Sequence, residues 1–265
     1  MEVLAFFLAA LVGVSLGLIG GGGSILTVPI LVYILGINPM LATSYSLFIV
    51  GFTALVGAFN NYRKGLLNIK VALLFGSSSI ATVFISRKFI LPHLPEIIFF
   101  RPGFQISQSM ATMVLFAVLM LMASYSMITE KRTLPGAIIQ PPKDINFVKL
   151  FVSGVLIGLI TGFLGAGGGF LIIPVLVIIF QIPMKQAVGT SLLIIAMNSI
   201  IGFSGDIGHL TIDWLFLITM TLIAIAGIFI GAIFAEKVNE QHLKKAFGWF
   251  VLLMGIYILT KEILR

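Results

Sequence analysis

The sequence predicts an all-α polytopic membrane protein made of two homologous halves, each with a glycine-broken helix. Hydrophobic residues make up 59% of the 265 residues and charged residues only 9%, and the mean hydropathy is +1.18. This composition excludes an ordinary soluble domain. Long apolar runs recur along the chain, and a glycine-rich motif occurs in each half. The strands of a β-barrel alternate between polar and apolar residues, whereas the run 214–235 is almost continuously apolar.

Charge and cysteine content exclude further classes. The net charge of +7 comes from residues that lie almost entirely between the apolar runs, where they orient helices against lipid headgroups. We therefore expect the lipid bilayer and a small anionic substrate as partners, and no nucleic acid; a homodimer is compatible with the sequence.

The absence of cysteine excludes disulfides and Cys-ligated metals. We expect no metal and no cofactor. The N-terminus lacks the positive region of a signal peptide, which favours a first membrane segment.

The first apolar run, 2–35, contains four consecutive glycines, Gly20–Gly23. As one helix it would be about 51 Å long at ~1.5 Å per residue, whereas the hydrocarbon core of a bilayer is only ~30 Å thick. Each glycine also costs roughly 1 kcal/mol of helix propensity relative to alanine. We therefore expect the helix to break here. A break at membrane depth is tolerated only where protein or a water-filled cavity satisfies the backbone, so the glycines are a candidate binding site.

The remaining segments follow from the apolar runs. Membrane segments are predicted at about 41–60, 69–85, 108–128, 186–204, 213–235 and 243–264. The proline-rich stretch 91–103 predicts an ordered loop or a short interfacial helix. Residues 130–145 hold most of the polar and proline residues in the middle of the chain, and they predict a linker between a first membrane repeat, 1–129, and a second, 146–265.

A second long apolar run, 147–181, repeats the first. The stretch 13–29 aligns without a gap onto 158–174, an offset of 145 residues, and at the same offset 42–47 falls on 187–192. Chance similarity between apolar sequences explains this poorly. Two homologous halves, each with a broken helix, are the pattern expected of secondary transporters.

Lysine and arginine positions indicate how the halves are oriented. If each broken run crosses the membrane once, the halves are parallel and the cations divide nine to seven between the two sides. If each broken run returns to its starting side, the halves are inverted and the division is eleven to five. Because loops rich in these residues stay in the cytoplasm, we expect inverted repeats with both termini outside.

The length of the piece after the first break agrees with this arrangement. Residues 24–35 would form about 18 Å of helix, which is enough for half a membrane. The start of such a helix carries N–H groups and roughly half a positive charge. Two such starts meeting near the midplane would bind an anion.

These motifs resemble those of the TauE/SafE family of sulfite and organosulfonate exporters over the whole chain. The resemblance rests on the stretch 162–169, on Pro174 and on the stretch 187–192. It implies a multi-pass protein of the cytoplasmic membrane that exports a small sulfur oxyanion or organosulfonate. The first half departs from the second by having Gly21 opposite Ala166, Ser24 opposite Gly169, and Tyr45 opposite Thr190. We therefore expect two half-sites that are not equivalent.

The predicted substrate site combines the glycine breaks with polar side chains in the segments that follow them. Hydroxyls can donate to an oxyanion, but they can equally cap a helix or bond to the preceding turn. Glycines can equally serve close helix packing, which is the interpretation we favour for Gly13 and Gly17. A mid-segment amide such as that of Asn198 needs a partner, because burying it unsatisfied is costly. The candidate residues are Gly20, Gly21, Gly22, Gly23, Ser24, Ser44, Ser46, Gly165, Gly167, Gly168, Gly169, Thr190, Ser191 and Asn198.

The charged residues of one loop suggest no ion coupling. Asp206, His209 and Asp213 cluster between segments, where we expect a solvated turn. No carboxylate lies in the middle of an apolar segment, so the usual signature of a proton relay is missing. An anion leaving a negative-inside cell gains about 2.3 kcal/mol per charge per 100 mV, so efflux could run without a coupling ion, and the sequence leaves open whether one is used.

Two other functions stay open from the sequence. An anion channel could also be lined by glycine backbone, and a saturable, counter-substrate-stimulated flux would favour a carrier over it. An intramembrane hydrolase with Ser24 as nucleophile needs a base within hydrogen-bond reach, whereas His93, His209 and His242 all lie in loops or at segment ends. We therefore expect no enzymatic activity and no catalytic residue.

Overall fold

The protein forms a bundle of membrane-spanning helices. The computed structural model describes residues 2–95, 97–101, 104–129, 147–164, 167–208, 210–237 and 240–264. Six helices in these ranges are long and apolar enough to cross a membrane. This confirms the predicted all-α polytopic class. The predicted linker, 130–145, lies outside the described residues.

The described residues form ten α-helices and one two-stranded hairpin. The first half contains α1 (Glu2–Ile19), α2 (Gly22–Pro29), α3 (Pro39–Arg63), α4 (Ile69–Ile85), β1 (Ile97–Arg101), β2 (Phe104–Ser107) and α5 (Gln108–Thr129). The second half contains α6 (Phe147–Leu164), α7 (Gly169–Pro174), α8 (Met184–Asp206), α9 (Trp214–Lys237) and α10 (Glu240–Ile263). The predicted segments agree with these helices to within a few residues.

The stretch between α4 and α5 differs from the prediction. The helix α4 continues as a π-helical segment, Ser86–Ile90, and a 3₁₀ turn, Leu91–His93, and β1 then pairs antiparallel with β2. The prolines indicated a loop, but the β-branched and aromatic residues of 97–100 favour extended pairing. The sequence did not predict these short strands, which directly precede α5.

Both long apolar runs are broken at their glycines. Each short helix after a break contains a proline and continues as a π-helical turn, Ile30–Ile34 after α2 and Val175–Ile179 after α7. Proline has no N–H to donate, so it disturbs the α-helical bonding pattern at that point. The π-helical turns end alike: the amide of Leu35 donates to the carbonyl of Ile30 at 3.1 Å, and that of Phe180 to the carbonyl of Val175 at 3.3 Å. The backbone therefore repeats at the same offset of 145 residues.

The helices α3 and α8 pack against each other in opposite directions. A β-carbon on Gly51 would lie 3.0 Å from that of Ser199, and one on Gly57 would lie 3.2 Å from Cδ1 of Leu192. Residue numbers thus rise along α3 as they fall along α8. At the sequence offset of 145 these two helices correspond to each other, so equivalent helices run antiparallel.

The helices α5 and α10, the last of each half, are also antiparallel. A β-carbon on Gly248 would lie 3.1 Å from Cβ of Met127, and one on Gly255 would lie 3.1 Å from Cδ2 of Leu121. The direction of this second pair matches that of the first pair.

Small residues bring the first helix of each half close to a helix of the other half. In α1, a β-carbon on Gly13 or Gly17 would overlap the backbone of α9 at Ala224 and Ile228. In α6, one on Gly158 would lie 2.6 Å from the carbonyl oxygen of Ser79 in α4. The packing interpretation of Gly13 and Gly17 is therefore confirmed.

Candidate functional site

The two glycine breaks are in direct contact with each other. Gly21 precedes the first residue of α2, and Gly169 is the first residue of α7. A β-carbon on Gly169 would lie 2.7 Å from Cα of Gly21, closer than any side chain tolerates. Two short helices from opposite halves of the chain therefore begin beside each other.

Backbone conformation makes glycine necessary at both breaks. Gly20 has φ of +80°, Gly167 +63° and Gly168 +75°, in the left-handed region that other residues rarely occupy. A β-carbon on Gly167 would also lie 2.6 Å from Oγ of Ser199 in α8. These three glycines form the turns at the breaks; Gly20 and Gly167 bring the backbone close to α8, and Gly168 packs against Thr161 in α6.

The other predicted glycines and Ser24 have different surroundings. A β-carbon on Gly23 would lie 2.5 Å from Cγ of Leu16, so Gly23 packs α2 back against α1. Gly22 and Ser24 lie in the first turn of α2, and the side chain of Ser24 is outside the described part of the structure, as is the whole of Gly165. Their role in binding stays a prediction.

Several buried side chains of α3 and α8 have polar atoms without a partner among the described residues. The hydroxyls of Ser44 and Ser46 in α3 and of Ser199 in α8 are buried and make no hydrogen bond within the described residues. The amide of Asn198 donates to Oγ of Ser79 at 2.7 Å, but its Oδ1 is also unpaired. A buried unsatisfied polar group costs about 1–3 kcal/mol, so these groups are suited to a polar ligand.

The second break lies between α3 and α8. A β-carbon on Gly167 would lie 3.3 Å from Cγ1 of Val50 and 3.0 Å from Cγ2 of Ile195. Ser46 precedes Val50 by four residues, which places both on one face of α3. Ser46 and Ser199 therefore both belong to the helices that enclose this break. Ser199 was missed from the sequence, where only its position beside Asn198 hinted at it.

Two predicted hydroxyls of α8 have structural partners instead. Oγ1 of Thr190 accepts a hydrogen bond from the backbone amide of Asn68 at 3.0 Å. Oγ of Ser191 donates to the carbonyl of Val188 at 2.9 Å, one turn earlier. The bond of Ser191 favours the back-bonding interpretation, whereas that of Thr190 is a contact between distant parts of the chain that the sequence did not predict. Their part in binding stays a prediction.

Cavities lie at opposite ends of α3. The larger has a volume of about 360 Å³ and is lined, among others, by Asn38, Thr43, Leu91, Gln108, Thr112 and Phe163. The smaller has a volume of about 10 Å³ and is lined, among others, by Gly17, Gly57, Asn60, Asn61, Leu192 and Phe229. Because α3 is long enough to span the membrane, the two cavities lie toward opposite membrane surfaces.

An ion pair is buried where the sequence predicted a segment end and a solvated turn. Arg87 lies in the π-helical segment Ser86–Ile90 that continues α4, and Asp206 is the last residue of α8. Nη1 of Arg87 donates to Oδ2 of Asp206 at 2.9 Å, with the side chains 0% and 6% exposed. The expectation of a solvated Asp206 was wrong, because a cation 119 residues away in sequence pairs with it. Asp213 is exposed, as expected, and His209 lies outside the described residues.

A second carboxylate is buried near the end of α10. Glu262 is 3% exposed, and its Oε1 accepts a hydrogen bond from the hydroxyl of Tyr33 at 2.8 Å. The ammonium of Lys261 lies 4.5 Å from the centre of the Tyr33 ring. This cluster joins the π-helical turn after α2 to α10.

Two broken helices that meet within a bundle of membrane-spanning helices are the architecture of a membrane transporter. The chain belongs to the TauE/SafE sulfite exporter family: the model of this family, described as "Sulfite exporter TauE/SafE", matches residues 5–258. The predicted family is thereby confirmed, and the chain is a multi-pass protein of the cell membrane.

Similar proteins carry transporter names. A "Probable membrane transporter protein" of Xylella fastidiosa is 28% identical over 95% of this chain and 92% of its own length. The "Probable membrane transporter protein YdhB" of Bacillus subtilis is 24% identical over 97% of this chain and 100% of its own length. No solved structure matches the chain significantly.

Proposed function

We propose that the chain is a secondary transporter that exports a small sulfur-containing anion, sulfite or an organosulfonate, across the cytoplasmic membrane. The anion binds where the two glycine breaks meet. The observation that carries this proposal is the backbone contact between Gly21 and Gly169. The substrate class rests on the family to which the chain belongs.

The chemistry of the break suits an oxyanion. The first N–H groups of a helix have no partner within that helix, and they carry roughly half a positive charge. Helix α2, and α7 with its π-helical continuation, begin beside each other at Gly21 and Gly169. The unpaired hydroxyls of Ser46 and Ser199 add donors that can rotate toward an anion.

Helix directions support an inverted arrangement of the two halves. If each broken run crossed the membrane once, the equivalent helices α3 and α8 would be parallel, and so would α5 and α10. Both pairs are antiparallel by their contacts. The packing of Gly23 against Leu16 also fits a run that enters the membrane and turns back. The midplane position of the site follows from this arrangement.

The unequal cavities fit alternating access. With both termini outside, the start of α3 faces outward, so the cavity of about 360 Å³ opens to the exterior. The cavity of about 10 Å³ at the other end of α3 has room for at most one water molecule. Among the described residues, the difference between these two cavities is the one expected of an outward-facing conformation.

Transport by the purified protein in proteoliposomes tests the function. We expect saturable flux of sulfite or of an organosulfonate such as sulfoacetate, accelerated by the same anion on the opposite side. Replacing Gly169 by leucine should abolish this flux, whereas Gly76→Ala should preserve it because only the flexible end of Met197 lies in the way. Flux that does not saturate would indicate an anion channel, and flux of none of these anions would refute the proposal.

A further inference from the structure

Arg87 presents hydrogen-bond donors that the fold does not use. Its side chain is 0% exposed, and its Nη1 pairs with Asp206. Its Nε and Nη2 make no hydrogen bond within the described residues, and neither does Oγ of the adjacent Ser86. Unpaired buried donors of a charged group are costly, and an ionisable residue within a membrane span marks a functional site.

The free edge of the guanidinium has a defined geometry. The N–H groups of Nε and of one terminal nitrogen point in the same direction, and this fork matches two oxygens of an oxyanion. Asp206 approaches the other terminal nitrogen, Nη1, so it holds and neutralises Arg87 without covering this edge. The side chain is thus oriented for a bidentate anion.

The neighbours of Arg87 connect the second break with the larger cavity. A β-carbon on Gly162, near the end of α6, would lie 2.8 Å from Cβ of Ser86. The next residue, Phe163, lines the larger cavity, and so does Leu91, one turn after Arg87. Arg87 lies about 9 Å along the helix from the end of its span at His93. It therefore lies on the outer side of the midplane.

This cation has no counterpart at the other end of the molecule. At the offset of 145 residues the position of Arg87 corresponds to Ala232. The backbone of Ala232 packs against Gly17 in α1, as the backbone around Ser86 packs against Gly162. Arg87 therefore adds a cation on one side of the membrane only, and it is not part of the repeat that relates the two glycine breaks.

We propose that the Nε–Nη2 edge of Arg87, together with Oγ of Ser86, is a second oxyanion site, reached between the glycine breaks and the larger cavity. It takes an anion that offers two or more oxygens on one atom, such as sulfite or a sulfonate. Asp206 holds the guanidinium in place and limits the affinity, so that the anion is passed on. This inference rests on the proposed transport function.

Transport kinetics measured separately from each side of the membrane test this site. Arg87→Lys keeps the charge near Asp206 but loses the bidentate edge, so we expect KM for sulfite entering from the cavity side to rise about tenfold, with little change in kcat. The exposed Arg63 gives a matched control, Arg63→Lys, which should leave both constants unchanged. Ser86→Ala keeps the β-carbon that packs on Gly162 and should raise the same KM about threefold.

The outcomes separate the two proposals. Because Arg87→Lys alters a buried pair, the double substitution Arg87→Met with Asp206→Leu removes both charges together, which buried pairs often tolerate, and it should show at least as large a rise in KM. Wild-type KM in the Ser86 variant and in the folded Arg87 variants would overturn the second site and leave the transport function standing. A wild-type protein that moves none of sulfite, sulfoacetate, thiosulfate or sulfate would overturn both.

Discussion

Gly21 and Gly169, from opposite halves of the chain, lie in backbone contact at the starts of two short helices. No side chain fits between them. The approach of the two breaks therefore depends on glycine at both positions, and so does the site we place there.

Gly169→Ala should damage both stability and transport. The added β-carbon would lie 2.7 Å from Cα of Gly21 and 2.5 Å from Cδ1 of Ile195, so backbone must move. Overpacking of this kind costs about 1–3 kcal/mol, and we expect a lower Tm in detergent together with transport reduced more than tenfold.

The control for this substitution is Gly76→Ala, whose β-carbon would lie 2.5 Å from Cε of Met197. That methyl group ends a flexible side chain and can move, so Tm and transport should be near those of the wild type. Equal effects of the two substitutions would contradict the special role of the break.

Ser46→Ala should weaken binding without weakening the fold. The hydroxyl of Ser46 is buried and has no partner, so its removal breaks no hydrogen bond of the folded protein. We expect an unchanged or slightly raised Tm and an affinity for sulfite lower by about tenfold, which corresponds to about 1.4 kcal/mol. Calorimetric titration of the purified protein measures this difference.

Ser204→Ala is the matched control, since Ser204 is an exposed serine of α8 whose hydroxyl donates to the carbonyl of Ile201 at 2.7 Å. It should bind sulfite as the wild type does. If Ser46→Ala also binds sulfite normally, Ser46 does not belong to the site.

Thr190→Val should be a stability variant. Oγ1 of Thr190 accepts from the backbone amide of Asn68, and valine would leave that amide unpaired, at a cost of about 1–3 kcal/mol. We expect a lower Tm for Thr190→Val and a Tm close to wild type for Thr190→Ser, which keeps the acceptor. A Tm unaffected by valine would show that the bond contributes nothing to stability.

Cysteine labelling should decide whether the halves are inverted. The chain has no cysteine, so Arg63→Cys at the end of α3 and Ile207→Cys just after α8 each give one exposed thiol. Inverted halves put these positions on opposite membrane sides, whereas parallel halves put them on the same side. We expect a membrane-impermeant maleimide to label intact cells at position 207 and to reach position 63 only after permeabilisation.

Much of this architecture could be predicted from residues that lie close together in sequence. Apolar runs longer than a bilayer is thick require either a break or a return, and consecutive glycines favour the break. Membrane segments, both breaks and the offset of 145 residues follow from such local patterns. The strands β1 and β2 did not follow, because prolines nearby indicated a loop while pairing depended on residues on both sides of it.

Only the tertiary structure shows which residues far apart in the chain pair with each other. Arg87 and Asp206 looked like charges at segment ends, and only the packing of α4 beside α8 buries them together. At the offset of 145 residues Thr190 lies one position before the counterpart of Ser46, yet its hydroxyl has a partner, the amide of Asn68 before α4, and that of Ser46 has none. The sequence by itself determined where the helices span and where they break, since hydropathy and backbone preference are local properties. Which polar groups remain free for an anion depends on contacts across the bundle, and those exist only in the folded chain.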